Sequence, residues 1–337
     1  MGLAGASSGV GVVGYTMGGG YGWLGRKYGF AADSMREADV VTADGDLLEA
    51  SANENTDLFW GLKGSGGNFG IVTSLEFALY PLETVYGGGI YYPVEKATEV
   101  LDLYSRWASD LPDEMTTSVT FVNFPPLPAL PDTLRGKSVI AVRGCYCGDP
   151  PEEGEALMRP WRALGEPVMN SFQTMRCDQM DAINMDPTDP VGAHSHVELL
   201  GDLSSDTVAT LVRLAGADSD SPLTTLELRQ LGGALTRTPA DLSPIAHTDS
   251  KVILNGIGMT PTPEVAKQVQ SYLAYAAEST RSHQTGATYV DFLDLDGATP
   301  ERVKAAYSQE DWERLVTLKD RYDPKNMFRF DRNIPPS

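Results

Sequence analysis

The amino-acid sequence predicts an α+β fold in which antiparallel strands and helices are segregated, and three observations lead to this prediction. Strand-like and helix-like segments do not alternate regularly, which argues against a doubly wound parallel sheet. An early hairpin is indicated where residues 38–42 and 47–51 flank Asp44 and Gly45, because Asp-Gly supplies the positive φ angles of a tight turn. Amphipathic helices separate the later strand signals, and residues 94–111 are the clearest example.

The individual elements follow from local signals along the chain. Residues 9–25 are predicted to form a short apolar strand that leads into a glycine-rich loop. Thr56 is a candidate N-cap for a helix over 57–63, and the alternating segment 71–80 is a candidate strand that Pro81 ends. The later predicted strands are 117–124, 138–145, 194–200, 224–231, 251–258 and 287–293. The later predicted helices are 152–164, 206–215 after a Ser205 cap, 264–280 after Pro263, 301–307 and one that follows a Ser308 cap.

Length, charge and cysteine content exclude several classes of protein. The chain has 337 residues, which is enough for two domains of about 150 residues each. Its net charge of −20 argues against general affinity for nucleic acids or anionic membranes, since such binding needs a basic face. Three cysteines do not make a disulfide framework, and there is no apolar run of about 18 residues that would indicate a membrane span. Because no basic segment precedes the first apolar run, the sequence predicts no signal peptide and a cytoplasmic location.

Two glycine-rich loops near the start of the chain point to a ligand. Residues 20–25 match the dinucleotide fingerprint G-x-G-x-x-G, but Gly29 interrupts the helix that a Rossmann site requires at that point. A second loop spans residues 64–70 and precedes a predicted strand. Glycine is concentrated where the backbone approaches a ligand closely, so the pair of loops favours a flat, extended ligand over tight turns alone.

Four segments carry a family resemblance. They are GGGYGWLGRKYGFAADSMREADVVTADGDLLEAS (18–51), DLFWGLKGSGGNFGIVTSLEF (57–77), YVDFLDLDG (289–297) and ERLVTLKDRYDPKNMFRFDRNIPP (313–336). Together they resemble the berberine bridge enzyme-like FAD-linked oxidases of the vanillyl-alcohol-oxidase superfamily, whose FAD-binding domain is of the PCMH type. The resemblance implies a split FAD-binding domain from residues 1–82 and 286–337. Residues 83–285 would form the substrate-binding domain, with an antiparallel sheet covered by helices.

The resemblance also implies which residues bind FAD. The first wall of the flavin site would be Gly18, Gly19, Gly20 and Gly22. The second wall would be Gly67, Asn68, Phe69, Gly70 and Ile71, and Asn333 would lie near the isoalloxazine ring. Backbone N–H groups at such walls can hydrogen-bond the flavin edge and stabilise the charge that it gains on reduction.

For catalysis, the resemblance implies a tyrosine base. Tyr289 would accept a proton while hydride leaves the substrate carbon for flavin N5, and Tyr28 would be a second tyrosine beside the flavin. A phenol is a poor base at its ordinary pKa of about 10, so one tyrosine must be tuned by its neighbours, either by a second hydroxyl group or by a nearby cation such as Lys27 or Arg26. Taken without the resemblance, Tyr289 is more typical of a core tyrosine in a strand.

The chain departs from the family pattern at several places. It has no Arg-x-Gly-Gly-His segment for histidyl attachment of FAD, and Ser7 stands where many members attach FAD through a cysteine, so covalent FAD is not expected. Arg237 replaces the glutamate base of the plant members, and Asp291 replaces the asparagine of Tyr-x-Asn. An acidic side chain beside Tyr289 disfavours its ionised form. The N-terminal FAD-anchoring subdomain of the family is not recognisable, which leaves three explanations: truncation, a second chain that supplies it, or loss of the flavin.

The resemblance implies an FAD-dependent oxidase of secondary metabolism that oxidises a hydroxyl-bearing small molecule, a saccharide or a natural product, with O₂ as electron acceptor. The alternative is a truncated or flavin-free relative that serves as a small-molecule binding or scaffold protein or as a non-redox catalyst. A metal site formed by His194, His196 and Cys177 is disfavoured, because two histidines two residues apart are typical of a polar strand face. No metal, nucleic acid or membrane is expected as a partner.

Overall fold

The computed structural model describes residues 1–128, 130–186, 191–237, 242–245, 250–294, 297–330 and 332–337. Its strands are β1 (Met35–Val41), β2 (Leu47–Ser51), β3 (Ile71–Phe77), β4 (Thr84–Pro93), β5 (Met115–Asn123), β6 (Ser138–Tyr146), β7 (Met169–Asn170), β8 (Gln173–Arg176), β9 (Ala193–Leu200), β10 (Thr225–Gln230) and β11 (Val252–Met259). Its α-helices are α1 (Val12–Met17), α2 (Gly25–Tyr28), α3 (Thr56–Leu62), α4 (Ala97–Ser109), α5 (Glu152–Leu157), α6 (Asp181–Asn184), α7 (Ser205–Ala215), α8 (Pro263–Thr280), α9 (Pro300–Lys304) and α10 (Gln309–Tyr322). No helix in these described ranges has the length and hydropathy needed to cross a membrane.

The chain forms two compact units. The first unit consists of Met1–Pro81, Gly233–Thr248 and Gly286–Ser337, and the second of Leu82–Gly232 and Asp249–Thr285. The sequence-based division placed residues 233–248 in the substrate-binding domain, whereas the structure places them in the first unit. The reason is packing, because Leu235 lies against Gly25 and Ile245 lies against Gly64.

The first unit contains a three-stranded antiparallel sheet with the strand order β2-β1-β3. The predicted hairpin is confirmed, since β1 pairs with β2 and Gly45 makes the connecting turn with a φ of +86°. Helix α3 begins at Thr56, the residue that the sequence analysis took as its cap. Helix α10 packs on α3 where Leu318 lies against Gly61.

The second unit is built on an eight-stranded antiparallel sheet. Neighbouring strands follow the order β7-β4-β6-β5-β10-β11-β9, and β8 also pairs with β4. Helices α4, α7 and α8 cover one face of this sheet, where Leu101, Leu211 and Leu273 pack with sheet residues such as Val142 and Leu228. The predicted antiparallel sheet covered by helices is therefore confirmed.

The opposite face of this sheet carries polar side chains. Strand register places Tyr91, Thr120, Glu227 and Asn255 in one row, since residues paired across antiparallel strands point to the same face. Arg143 lies two residues along β6 from the same row and points to the same face. All five residues are buried, and we call them the polar face.

The structure contradicts two of the predicted strands. Residues 12–17 form α1, although the sequence analysis placed a strand at the start of 9–25. An apolar run this short does not distinguish a helix from a strand, and the helix buries the Tyr15 ring against Gly5 and Gly20. The segment 287–293 contains a 3₁₀ turn at Val290–Phe292 instead of a strand.

Smaller differences concern helix ends. The predicted helix 152–164 is α5 followed by a 3₁₀ turn at Arg159–Leu164. Helix α7 is capped by Ser204, whose hydroxyl accepts a hydrogen bond from the Thr207 N–H, and not by Ser205. Such shifts of one turn or one residue are common at helix ends, where local geometry decides which hydroxyl reaches the free N–H groups.

Candidate functional site

The two glycine-rich loops of the first unit lie side by side. The Gly66 N–H donates a hydrogen bond to the carbonyl oxygen of Met17, the last residue of α1, over 2.9 Å. Ile245 packs against Gly19 of the first loop and against Gly64 of the second. The loops that the resemblance assigns to two walls of one site are therefore neighbours in the fold.

Asn68 joins the second glycine loop to the C-terminal segment. Its side-chain amide donates to the carbonyl oxygens of Ser65 (2.7 Å) and Arg332 (3.1 Å). Its Oδ1 accepts a hydrogen bond from the Ile334 N–H (2.8 Å). Because Arg332 and Ile334 flank Asn333, the Asn68 side chain fixes the backbone on both sides of that residue. Two predicted cofactor residues that lie far apart in the sequence are thus adjacent in the fold.

A buried ion pair supports this arrangement. Lys319 and Asp323 pair over 2.7 Å, and both side chains are 0% exposed. The Lys319 ammonium also donates to the carbonyl oxygens of Asn68 (2.9 Å) and Phe328 (2.8 Å). Asp323 accepts from the N–H groups of Met327 (2.7 Å) and Phe328 (2.8 Å). The pair therefore ties α10 both to the second glycine loop and to the segment that leads to Asn333.

Burial and hydrogen bonding act on these two charges in different ways. Burial lowers the pKa of Lys319, although the neighbouring Asp323 carboxylate opposes that shift. Burial alone would raise the pKa of Asp323, but hydrogen bonds from Lys319 and from two backbone amides hold it below its ordinary value. The carboxylate thus stays ionised inside the protein and keeps its cation in place.

Tyr289 lies beside the first glycine loop. It is buried, and its ring stacks on Phe30, with 5.7 Å between ring centroids, and meets Phe292 edge-on at 5.1 Å. A Cβ atom at Gly19 would lie 3.0 Å from the Tyr289 hydroxyl oxygen. The aromatic neighbours fix the ring, and the lack of a side chain at Gly19 leaves room for its hydroxyl group.

Arg332 connects the Tyr289 segment with Asn333. Its guanidinium group donates to the carbonyl oxygens of Asp291 (3.2 Å) and Leu293 (2.7 Å). These carbonyl groups follow Tyr289 in the chain, and their bonds to a side chain take the place of the strand pairing predicted for 287–293. The residue also adopts a φ of +45°, so the backbone turns sharply immediately before Asn333.

The glycines of the two loops differ in what surrounds them. Protein atoms fill the space into which a Cβ would point at all the predicted first-wall glycines, Gly18, Gly19, Gly20 and Gly22. At Gly18 that space is taken by the Asp291 carboxylate, the group that replaces the family asparagine. At Gly66 and Gly67 no atom of a described residue lies within 4 Å of the same position. The unobstructed backbone therefore belongs to the second loop.

The remaining second-wall residues differ in exposure. Phe69 is fully buried, and Gly70 is approached closely by Val40, so both shape the loop from within. Ile71, the first residue of β3, is 57% exposed. The direct contribution of these three residues to a ligand site stays a prediction.

Tyr28, the second predicted catalytic tyrosine, lies in α2. Its ring lies against that of Tyr80 in a tilted arrangement, with 4.1 Å between centroids and 34° between the ring planes. The Lys27 ammonium lies 5.5 Å from the Tyr28 ring centroid. One of the two cations expected to tune a tyrosine is therefore placed at Tyr28.

The alternative metal site is not assembled. His194 and His196 lie on β9, and the His196 ring bonds Glu198 over 2.7 Å. Cys177 follows β8, which pairs with β4 near the other end of the strand order. Among the described residues, no group of three His, Cys, Asp or Glu side chains is placed to hold a metal ion.

The first unit fits a flat ligand with a polar edge at the second glycine loop. The Asn333 Oδ1 atom is buried and has no hydrogen-bond partner among the described residues. The isoalloxazine of FAD carries both an N–H donor and carbonyl acceptors at its edge, so it can satisfy the Asn333 amide in either orientation. Together with the unobstructed backbone at Gly66 and Gly67, this amide makes the site suitable for a flavin.

Comparisons with known proteins agree with this geometry. The family described as "Berberine and berberine like" matches residues 288–335, which include Tyr289, Lys319 and Asn333. The chain is 28% identical over 345 residues to the uncharacterised FAD-linked oxidoreductase YgaK of Bacillus subtilis (strain 168), covering 99% of this chain and 72% of the relative. It is 29% identical over 347 residues to (R)-6-hydroxynicotine oxidase of Paenarthrobacter nicotinovorans, covering 97% of this chain and 71% of the relative. Among solved structures, Physcomitrella patens BBE-like 1 superposes with a TM-score of 0.83 at 19% identity, covering 99% of this chain and 72% of that chain.

The chain is thus similar along nearly its whole length to berberine bridge enzyme-like FAD-linked oxidoreductases. It is therefore an oxidoreductase, and its α+β fold is that of the PCMH-type flavoproteins, as the sequence resemblance implied. The relatives match nearly the whole chain, so the resemblance extends through the second unit as well as the first.

Sequence reasoning missed several residues that build the site. Lys319 lies in α10, and Asp323, four positions later, is the residue at which this helix ends. A Pro residue follows Asp323, so the local sequence indicates only the end of a helix and not an ion pair. Gly66 belongs to the same glycine run as Gly67, so the run itself was a sufficient signal. Arg332 gave no local signal, because its hydrogen-bond partners lie in a segment far away in the sequence.

Proposed function

We propose that this protein is an FAD-dependent oxidase that converts a hydroxyl group of a small molecule into a carbonyl group, with O₂ as the final electron acceptor. One observation carries the proposal: the second glycine loop, Asn333 and Tyr289 converge within the first unit through Asn68 and Arg332. The names of relatives support it, since they include a hydroxynicotine oxidase and a chitooligosaccharide oxidase. A saccharide or a hydroxylated natural product is the proposed substrate class.

The backbone of Gly66 and Gly67 and the amide of Asn333 would hold the edge of the flavin ring. FAD, when bound, takes a hydride at N5 and passes the two electrons to O₂, which leaves as hydrogen peroxide. Asn68 and Lys319 contribute by keeping the Asn333 backbone in place before the cofactor arrives, which lowers the cost of ordering it on binding. Because Ser7 has no thiol, we propose that this residue makes no covalent bond to the flavin.

Tyr289, in its ionised phenolate form, is proposed to accept the proton of the substrate hydroxyl group at its side-chain oxygen. Its ring is immobilised between Phe30 and Phe292, so little reorganisation is needed before proton transfer. Burial keeps bulk water from the phenol oxygen. Tyr28, beside Lys27, is the second tyrosine of the proposal.

The test combines cofactor binding with flavin reduction. FAD titrated into the purified protein is expected to bind, and its visible absorbance is expected to bleach when an oxidisable alcohol is added without O₂. Tyr289→Phe is expected to slow that bleaching by about 10²- to 10⁴-fold while leaving the FAD content unchanged. Tyr275→Phe, at a half-exposed tyrosine on α8, serves as the control and is expected to have no effect.

Two results would contradict the proposal at different points. Unchanged bleaching in Tyr289→Phe would remove that residue from the role of base. Folded protein that FAD does not bind at all would favour the flavin-free alternative, a small-molecule binding protein.

A further inference from the structure

The polar face of the second unit holds buried side-chain atoms that have no hydrogen-bond partner within the described part of the chain. They are Tyr91 Oη, Arg143 Nε and Asn255 Oδ1. Such atoms are rare in folded proteins, since each has given up its hydrogen bonds with water. Ser118 Oγ, next to Arg143 on the same face, is a fourth such atom. Four of them on one face of one sheet indicate a ligand, or bound waters, that would complete their hydrogen bonds.

Arg143 gives this face an incompletely paired charge. Its side chain is 5% exposed, and its Nη1 lies 3.3 Å from the Thr120 hydroxyl and 4.0 Å from Glu227 Oε1. The other Glu227 oxygen accepts a hydrogen bond from Arg229 over 2.7 Å. Burial alone would raise the pKa of Glu227, but Arg229 and Arg143 hold it below its ordinary value. The ionised Glu227 is thus held mainly by Arg229, and among the described residues Arg143 has no carboxylate at hydrogen-bond distance.

Tyr91 places a second donor next to this cation. A Cβ atom at Gly89 would lie 3.1 Å from the Tyr91 hydroxyl oxygen, and Gly89 pairs directly with Arg143 in the sheet. A phenol hydroxyl and a guanidinium N–H on the same sheet face can both donate to one anion. Asn255 lies three strands away from Arg143, about 14 Å at the usual strand spacing, and offers an acceptor.

We propose that Arg143 and Tyr91 bind the carboxylate group of a small hydroxylated acid; Asn255 is too far from them to contact the same small molecule. A carboxylate suits the site because it carries one negative charge, which matches one incompletely paired cation, and because its planar shape fits the guanidinium edge. This binding site lies within the second unit and does not depend on the oxidase activity proposed above.

The test is a calorimetric titration of the full chain without FAD. The probes are two acids, D-glucuronate and mandelate, and their neutral counterparts, glucuronamide and mandelamide. At least one acid is expected to bind about tenfold more tightly than its amide, as one charge-assisted hydrogen bond allows. Arg143→Gln is expected to abolish this preference, whereas Arg162→Gln, at a side chain that is 70% exposed, is expected to preserve it.

A second, more conservative variant keeps the test valid if Arg143→Gln fails to fold. Tyr91→Phe removes one oxygen and keeps the ring, and it is expected to weaken binding of the acid about five- to tenfold without lowering the thermal unfolding temperature. Equal affinity for acid and amide in both pairs, no detectable binding of either acid, or a preference that survives Arg143→Gln would each overturn the proposal and assign the four atoms to bound water. Because the titration contains no flavin and no turnover, a failed oxidase assay leaves its result unchanged.

Discussion

Replacement of Lys319 by methionine tests most directly whether the buried ion pair supports the candidate site. The change keeps an unbranched side chain of similar length but removes the charge and three hydrogen bonds, to Asn68, Asp323 and Phe328. Asp323 would then be a buried carboxylate with two backbone donors and no cation. Removal of one partner from a buried ion pair costs about 3–5 kcal/mol, because the other charge stays desolvated.

Urea unfolding followed by tryptophan fluorescence measures this loss. We expect the free energy of unfolding of Lys319→Met to fall by about 3–5 kcal/mol, and the affinity for FAD to fall as well because the Asn68 carbonyl loses its support. Lys325→Met, at an exposed lysine shortly after the end of α10, is the matched control. It should change the free energy of unfolding by less than about 0.5 kcal/mol.

A double variant separates charge from packing. In Lys319→Met/Asp323→Asn the buried carboxylate is gone and the amide oxygen remains as an acceptor for one of the two N–H groups, that of Met327 or that of Phe328, so about 1–2 kcal/mol of the loss should be recovered. A loss in Lys319→Met no larger than in Lys325→Met, or no recovery in the double variant, would refute the reasoning that the ion pair holds this part of the first unit together.

Two further predictions concern the pH dependence of stability and the role of the second glycine loop in FAD binding. The pKa of Asp323 is lowered in the folded state, so its ionised form stabilises the fold above the ordinary aspartate pKa of about 4, and this contribution disappears as pH falls through the lowered value. Unfolding measured from about pH 7 down to about pH 3 should therefore show the advantage of wild type over Asp323→Asn shrinking, and a constant difference would contradict the assignment. Gly67→Leu should leave thermal stability nearly unchanged, since nothing lies near its Cβ position, but should weaken FAD binding at least tenfold. Gly45→Ala is the converse control: its φ of +86° should cost about 1 kcal/mol of stability with no change in FAD affinity, and the loop assignment fails if the two variants affect FAD equally.

Local signals were sufficient for several elements. Pro263 begins α8, and the Ser308 hydroxyl accepts a hydrogen bond from the Asp311 N–H (3.0 Å) at the start of α10, as the sequence predicts. These features depend on residues within one turn of each other, so the surrounding fold changes them little. The same reasoning missed β4, because three glycines in succession, 87–89, oppose a strand, and only pairing with β6 and β8 stabilises it.

The residues of the candidate flavin site were predicted unevenly. The resemblance led to Asn68, Tyr289 and Asn333, because these residues lie in the motifs through which the chain resembles the family. It did not reveal that Asn68 bonds on both sides of Asn333 or that Arg332 connects Asn333 with the Tyr289 segment. The hydrogen bonds of Asn68 join segments that are more than two hundred residues apart, and those of Arg332 join segments 39 or more residues apart. No local sequence pattern encodes such links.

By itself, the sequence determined the fold class, the family and the identity of the residues at the glycine loops and the C-terminal segment. The tertiary structure alone decided that Tyr91, Arg143 and Asn255 share one face of one sheet. The physical reason is that alternation along a strand specifies which residues point the same way, while the order of strands depends on pairing between distant segments. A proposed acid-binding face therefore emerged from strand order, whereas the proposed flavin site was already visible in the motifs.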